Sequence, residues 1–296
     1  MERGRRGAYN KRMPFAPVRR AGSYPAAFAR TAGPRSTLFI IYYLLSFLYF
    51  LWYTVPDDRP LPTTHERTPA MEPCAITPIA RIRTDFSGKF GIPRQSGLVP
   101  ELTARIVFEP EYRDPGALAG IEEYSHLWLI WQFSTVAAEF AAGRRWRPTV
   151  RPPRLGGNVR RGVFATRSPY RPNALGLSCV ELAGVEGCDL LVRGADLLDG
   201  TPIFDIKPYL PYVDAHPEAR GSFSDAAASY ALEVDCPPAL LAALPEEKRA
   251  ALLGVLRNDP RPAYQHDPGR VYALEFAGHT VRFTVDGNTL TVREVL

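Results

Sequence analysis

His126–Phe133 reads HLWLIWQF, eight residues with no formal charge and six large apolar or aromatic side chains. A run this short, aromatic and uncapped reads as a buried strand rather than a helix. Its neighbours have the same character. Ala75–Arg83 (AITPIARIR) alternates weakly and Leu102–Phe108 forms a second strand. Gly162–Thr166, Gly176–Leu182, Asp189–Ala195 and Ile203–Ile206 are further strands. Gly91–Gly97 is a loop, Asp199–Pro202 (DGTP) a turn, and Ala117–Tyr124 a short helix. Strands this short and closely spaced predict a β-barrel or sandwich.

The pattern changes after Asp214–Asp225, a Pro, Gly, Ser and His-containing stretch that reads as a linker. Ala239–Leu256 is helical, with Leu240, Leu244, Leu252 and Leu256 among its apolar positions. Val271–Phe276, Val281–Val285 and Leu290–Val292 follow as strands, with Asp286-Gly287-Asn288 as a hairpin turn. The expected fold class is mainly β, with a small α+β C-terminal domain. The expected boundaries are 1–70, 71–215 and 216–296.

The chain has 296 residues and a net charge of +5. Residues 1–70 carry eleven Lys/Arg against four acids, whereas the remainder carries 25 basic against 27 acidic residues. The body is therefore near neutral, which excludes a generally cationic nucleic-acid coat. Cys74, Cys179, Cys188 and Cys236 have no paired spacing, and the five histidines have no ligand-like i, i+4 spacing. Neither a disulfide framework nor a metal site is expected.

Leu38–Val55 (LFIIYYLLSFLYFLWYTV) is eighteen residues without charge, long enough to span a bilayer. Nine basic residues precede it and Asp57-Asp58 follow, which would leave the N-terminus in the cytoplasm. A secretory signal fits less well, because the apolar core is too long and too aromatic. The favoured reading makes residues 1–70 upstream sequence read from a wrong start, with the protein beginning at Met71 in the cytoplasm. The alternative is a single-pass membrane protein, and a membrane is a partner only in that case.

Between Arg144 and Ser178 the chain reads RRWRPTVRPPRLGGNVRRGVFATRSPYRPNALGLS. Nine arginines fall between Arg144 and Arg171, with no acid between Glu139 and Glu181. Five prolines and Gly156-Gly157 exclude a continuous helix. Arginines set among rigid turns suit an anion: phosphate, carboxylate or nucleic acid. No G-x-G-x-x-G follows a strand, and neither a P-loop nor a G-x-S-x-G elbow occurs.

Five segments together resemble the TsaA-like family, in its two-domain bacterial TrmO branch. They are Gly91–Glu101 (GIPRQSGLVPE), Gly120–Phe133 (GIEEYSHLWLIWQF), Trp146–Ser178, Asp196–Ala215 (DLLDGTPIFDIKPYLPYVDA) and Asn258–Tyr264 (NDPRPAY). The resemblance runs from about Ile76 to the C-terminus. It implies a TsaA-like β-barrel, not a Rossmann methyltransferase fold, so a missing glycine-rich nucleotide loop is expected. It also implies a methyltransferase that moves a methyl group from S-adenosylmethionine to N6 of N6-threonylcarbamoyladenosine, beside the anticodon of threonine tRNA. A homodimer is implied as well. The competing readings are a non-catalytic RNA-binding module and a membrane-anchored TsaA-like methyltransferase with another small acceptor.

The resemblance places the cofactor at Pro93, Arg94 and Gln95, at Arg167 with Leu177 as apolar lining, and at Asp199, Gly200, Thr201 and Pro202. Many relatives carry His and a polar neighbour where this chain has Ser134 and Thr135, so a side-chain contact at Ser134 is the weakest of these assignments. Asp196, Asp199, Asp205 and Tyr170 are candidates for the proton-accepting base. Arg147, Arg151, Arg154 and Arg171 are candidates for the substrate carboxylate and the anticodon-loop phosphates. Without the resemblance, Arg94 and Arg167 would be structural arginines pairing Asp85 or Asp205, and Asp199 would only close a turn.

Overall fold

In the computed structural model, residues 72–152, 159–227, 230–261, 265 and 267–296 are described. Leu38–Val55 and Met71 lie outside them, as does Arg154. Among the described residues no helix is long and apolar enough to cross a membrane. Pro73–Leu296 forms one compact unit.

The first eight strands are β1 (Ala80–Arg83), β2 (Thr103–Phe108), β3 (His126–Gln132), β4 (Thr149–Val150), β5 (Arg161–Gly162), β6 (Leu175–Glu186), β7 (Asp189–Arg193) and β8 (Pro202–Pro208). Six of them close a barrel in the order β1-β2-β7-β6-β3-β8, with β8 returning to β1 and every pair antiparallel. Of the two expected architectures the chain therefore takes the barrel, which leaves no open sheet edge. The opening HLWLIWQF segment supplies β3, paired on both sides. Its burial alternates: Leu127, Leu129 and Trp131 enter the core while Trp128 and Ile130 are half-buried outside. Ile82, Ile106, Val180, Leu190, Val192 and Ile203 fill the same interior.

Antiparallel closure puts three long connections at one end of the barrel. These are residues 84–102 between β1 and β2, 133–174 between β3 and β6, and 194–201 between β7 and β8. They carry the PRQ, arginine-rich and DGTP segments. The opposite end holds the 109–125 connection between β2 and β3 and the Gly187-Cys188 turn between β6 and β7.

Several local expectations differ from the structure. Gly162–Thr166 is a two-residue strand followed by a 3-10 turn over Val163–Ala165. Ala117–Tyr124 takes in the end of one 3-10 turn, Pro115–Leu118, and the whole of a second, Ile121–Glu123. Ser134–Ala141 is helix α1, which the sequence reading missed because only Val136 of its residues is buried and it has no side-chain cap. The linker opens on helix α2 (Pro211–Asp214) and ends in a 3-10 segment, Ser222–Ala227.

The C-terminal part contains β9 (Glu233–Asp235), α3 (Pro238–Leu241), α4 (Glu246–Arg257), β10 (Tyr272–Phe276), β11 (His279–Asp286) and β12 (Thr289–Val295). The single helix expected over Ala239–Leu256 is two helices, because Pro245 sits extended at ψ 142° just before α4. The sheet order is β10-β11-β12-β9, with β9 parallel to β12. Leu252, Val255 and Leu256 of α4 share a core with Leu274, Phe283 and Leu290. Phe86, Val99 and Leu102, from the β1–β2 connection, are buried in this same core. The connection that carries Pro93–Gln95 is therefore seated on the C-terminal sheet and helix.

Candidate active site

The β1–β2 connection is stitched to the β7–β8 connection along its length. Thr84 donates its amide to Asp199 Oδ1 at 3.0 Å and its hydroxyl to the Leu197 carbonyl at 3.1 Å. Gly97 donates to the Gly194 carbonyl at 2.8 Å, and Gly194 donates to the Leu102 carbonyl at 2.9 Å. Ser96 Oγ accepts the Cys179 amide of β6 at 3.1 Å. Pro93, Arg94 and Gln95 are thereby held at the barrel end beside β6 and the Asp196–Pro202 segment.

Gln95 has both ends of its amide engaged. It donates to the Arg94 carbonyl, and its oxygen accepts from Arg167 Nη1. The amide expected to contact cofactor thus orients Arg167, whose side chain is exposed. Arg94 Nη2 donates to the carbonyl of Arg261 at 2.8 Å. Neither arginine takes the acid that composition alone would have offered. Asp85 pairs with Lys248 at 2.7 Å and Asp205 with Lys207 at 2.8 Å.

A polar relay runs inward from the same place. Trp131 Nε1 donates to Ser178 Oγ at 2.9 Å, and Ser178 donates to Asp196 Oδ1 at 2.6 Å. Ser178 is 1% exposed, so its hydroxyl depends on these two partners. Burial pushes the Asp196 carboxyl above the usual carboxylate range. Hydrogen bonds from Ser178 and the Asp196 and Ser96 amides, and the charge of Arg167, only partly offset it. The Trp131 indole packs against Gly176, its partner on β6. A Cβ there would stand 2.3 Å from the indole Cε2.

The other base candidates sit differently. The Asp199 carboxylate faces the end of β1, held by Thr84 and by Arg83 at 3.6 Å. Asp205 lies within β8 and accepts the Ile206 amide as well as Lys207. Tyr170 has the Arg144 guanidinium over its ring at 4.5 Å. Gly200 takes φ +74° in the DGTP turn, with Thr201 and Pro202 buried behind it. Leu177 is 55% exposed on β6 next to Ser178. Ser134 and Thr135 open α1 at the same barrel end, and no hydrogen bond joins them to Gln95 or Arg167 among the described residues.

Of the substrate candidates, Arg147 and Arg151 are exposed. Arg171 is not a free surface cation: its guanidinium donates to the Thr166 carbonyl at 3.2 Å and braces its own loop. The sequence reading missed Trp146 and Phe164, which stack at 6.4 Å with 43% and 73% exposure among these arginines. Their signal was present, since Trp146 stands between Arg145 and Arg147 and Phe164 between Arg161 and Arg167, and aromatics set among arginines suit a surface that meets bases.

Residues 81–215 match the family model described as the tRNA-methyltransferase O N-terminal domain. Residues 229–296 match the TrmO C-terminal domain. The chain belongs to the tRNA-methyltransferase O family. A tRNA (adenine(37)-N6)-methyltransferase of Escherichia coli (strain K12) is 40% identical over 219 residues, covering 70% of this chain and 91% of the relative. A putative S-adenosylmethionine-dependent methyltransferase RcsF of Pseudomonas aeruginosa is 41% identical over 216 residues, covering 68% and 87%. The crystal structure of TrmO from Pseudomonas aeruginosa superposes with a TM-score of 0.61 at 31% identity, covering 76% of this chain and all of that one. The barrel and the C-terminal unit are thus the shared architecture of the TrmO family.

Proposed function

We propose that this protein is an S-adenosylmethionine-dependent tRNA methyltransferase acting at N6 of adenosine 37, and that its acceptor is N6-threonylcarbamoyladenosine in threonine tRNA. The single observation that carries the site assignment is the Gln95–Arg167 contact. It joins the PRQ and ATRS segments beside Asp196 at one barrel end. The residues there fit the cofactor. Arg94 and Arg167 are cations for its carboxylate, the Asp199–Pro202 turn offers close backbone approach, and Leu177 offers exposed apolar surface. Bound there, S-adenosylmethionine supplies a methyl group already activated on a sulfonium.

The chain's own residues then have two tasks. The first is positioning, which the stitched connections perform. The second is accepting the proton of a poorly nucleophilic, urea-like nitrogen. Asp196 is the best placed of the four candidates. Its raised proton affinity makes Oδ2 a better acceptor than an ordinary carboxylate, and Ser178 holds Oδ1. Arg147 and Arg151, with the Trp146–Phe164 pair, are assigned to the anticodon loop. Arg154 keeps its assignment from sequence alone.

A homodimer belongs to this reading. Tyr212 and Val213 are 85% and 49% exposed on α2, an apolar surface that a second copy would cover. Sedimentation should give twice the chain mass, and a monomer at micromolar concentration would refute the dimer. The function is tested by titrating S-adenosylmethionine into the protein by calorimetry. Binding that is lost in Arg167→Ala supports the site. Absence of heat with the native protein would favour a non-catalytic RNA-binding module.

A further inference from the structure

One of the contacts between the C-terminal part and the β1–β2 connection is a buried polar cluster that touches Arg94. Past α4, Asp259 takes φ +51°, a left-handed backbone that costs a non-glycine residue about 1 kcal/mol or more. Its carboxylate is clamped from three directions. Arg261 donates to Oδ1 through Nε at 2.9 Å and through its amide at 3.2 Å, and to Oδ2 through Nη2 at 3.1 Å. Tyr230 donates its hydroxyl to Oδ2 at 2.8 Å. Asp259 and Arg261 are 7% and 6% exposed.

A buried ion pair contributes little net stability, because desolvation offsets most of the attraction. Combined with a strained backbone, this one is poorly explained by stability alone. What the cluster does fix is the direction of the Arg261 carbonyl. That oxygen accepts from Arg94 Nη2 at 2.8 Å, across 167 residues of sequence. The Arg94 carbonyl accepts from Gln95, and Gln95 accepts from Arg167. Asn258, beside the cluster, donates to the Leu98 carbonyl of the same connection at 3.4 Å.

We propose that the C-terminal unit governs cofactor binding: the Asp259–Arg261 pair fixes the carbonyl that seats Arg94, so Asp259 and Arg261 are positioning residues for the Pro93–Gln95 segment. The proposal rests on the cofactor assignment of that segment made above. A tail that served only to enlarge the RNA-binding surface would not need a buried ion pair aimed at Arg94.

The test is calorimetry of the full chain with S-adenosylmethionine, alongside binding of tRNA to the cofactor-free protein. Asp259→Asn keeps the size and the tolerance of left-handed backbone but removes the charge. It should raise the cofactor Kd about tenfold and leave tRNA affinity unchanged. Tyr230→Phe, a milder change that keeps the pair, should raise Kd by roughly two- to threefold. Arg94→Ala should weaken cofactor binding, and adding Asp259→Asn to it should cause little further loss, because both act through one contact. If Arg94→Ala leaves Kd unchanged, the cofactor assignment itself fails. If Arg94→Ala weakens binding while Asp259→Asn and Tyr230→Phe do not, the positioning role is overturned. Fully additive losses in the double variant would overturn it as well. Should Asp259→Asn fail to fold, Tyr230→Phe decides.

Discussion

Gly176→Ala puts the barrel and the site on trial together. The new Cβ would meet Trp131 at 2.3 Å from Cε2, 2.4 Å from Cζ2 and 2.7 Å from Cδ2, well inside contact distance. Trp131 has little room to yield, being 5% exposed and packed edge-on against Phe133 at 4.4 Å. Overpacking of this kind costs about 1–3 kcal/mol. If the indole shifts, its N–H leaves Ser178, and a buried hydroxyl relay loses a partner for about another 1–3 kcal/mol. The expected loss is therefore roughly 2–6 kcal/mol, a large share of the 5–15 kcal/mol typical of a folded domain. Urea denaturation of both proteins measures it. Trp131→Phe in the Gly176→Ala background should recover part of the loss, because the smaller ring makes room. A change below about 0.5 kcal/mol, within the range of a neutral surface substitution, would refute the packing of Trp131 on Gly176.

Other outcomes follow from the same geometry. Gly91→Ala places a Cβ 2.1 Å from Leu274 Cδ1 at φ +91°; it should lower the denaturation midpoint and weaken cofactor binding together, and unchanged values would show that this connection is not seated on β10. Asp196→Asn should reduce methyl transfer by about 100-fold or more. Because the folded carboxyl has a raised proton affinity, its ionised form costs stability at neutral pH, so this variant should melt no lower than the native protein. For Asp259 the sign reverses. Burial raises its proton affinity, but the Arg261 and Tyr230 hydrogen bonds and the Arg261 charge prevail and lower it. Its contribution is full above about pH 4 and is lost as pH falls through the lowered value, so the melting gap to Asp259→Asn should close in acid. Arg151→Ala should weaken tRNA binding and reduce the salt slope by about one, leaving cofactor affinity intact; an unchanged slope removes Arg151 from the interface.

The barrel strands were legible because β3, β6, β7 and β8 carry dense apolar runs between turn residues, and local pattern sufficed. Closure was not legible in the strand pattern, which allowed a barrel or a sandwich; it came from the family resemblance. Closure depends on β1 meeting β8, a pairing between residues more than a hundred positions apart. Pro245 announced the break between α3 and α4, but the leucine spacing across it obscured the signal. The PRQ, ATRS and DGTP motifs could be named from sequence, yet their roles depended on partners. Gln95 turns to Arg167, Asp199 turns to Thr84, and Arg171 turns to its own loop. The seating of the β1–β2 connection in the C-terminal core was invisible, because Phe86, Val99 and Leu102 read as ordinary apolar positions of the first domain.

The most direct measurement is the mass of the modified nucleoside. The full chain is incubated with S-adenosylmethionine and threonylcarbamoylated threonine tRNA, and the digested nucleosides are weighed by mass spectrometry. The account predicts that N6-threonylcarbamoyladenosine gains one methyl group, and that Arg167→Ala abolishes the gain. A protein that binds the cofactor yet leaves that nucleoside unchanged would contradict it.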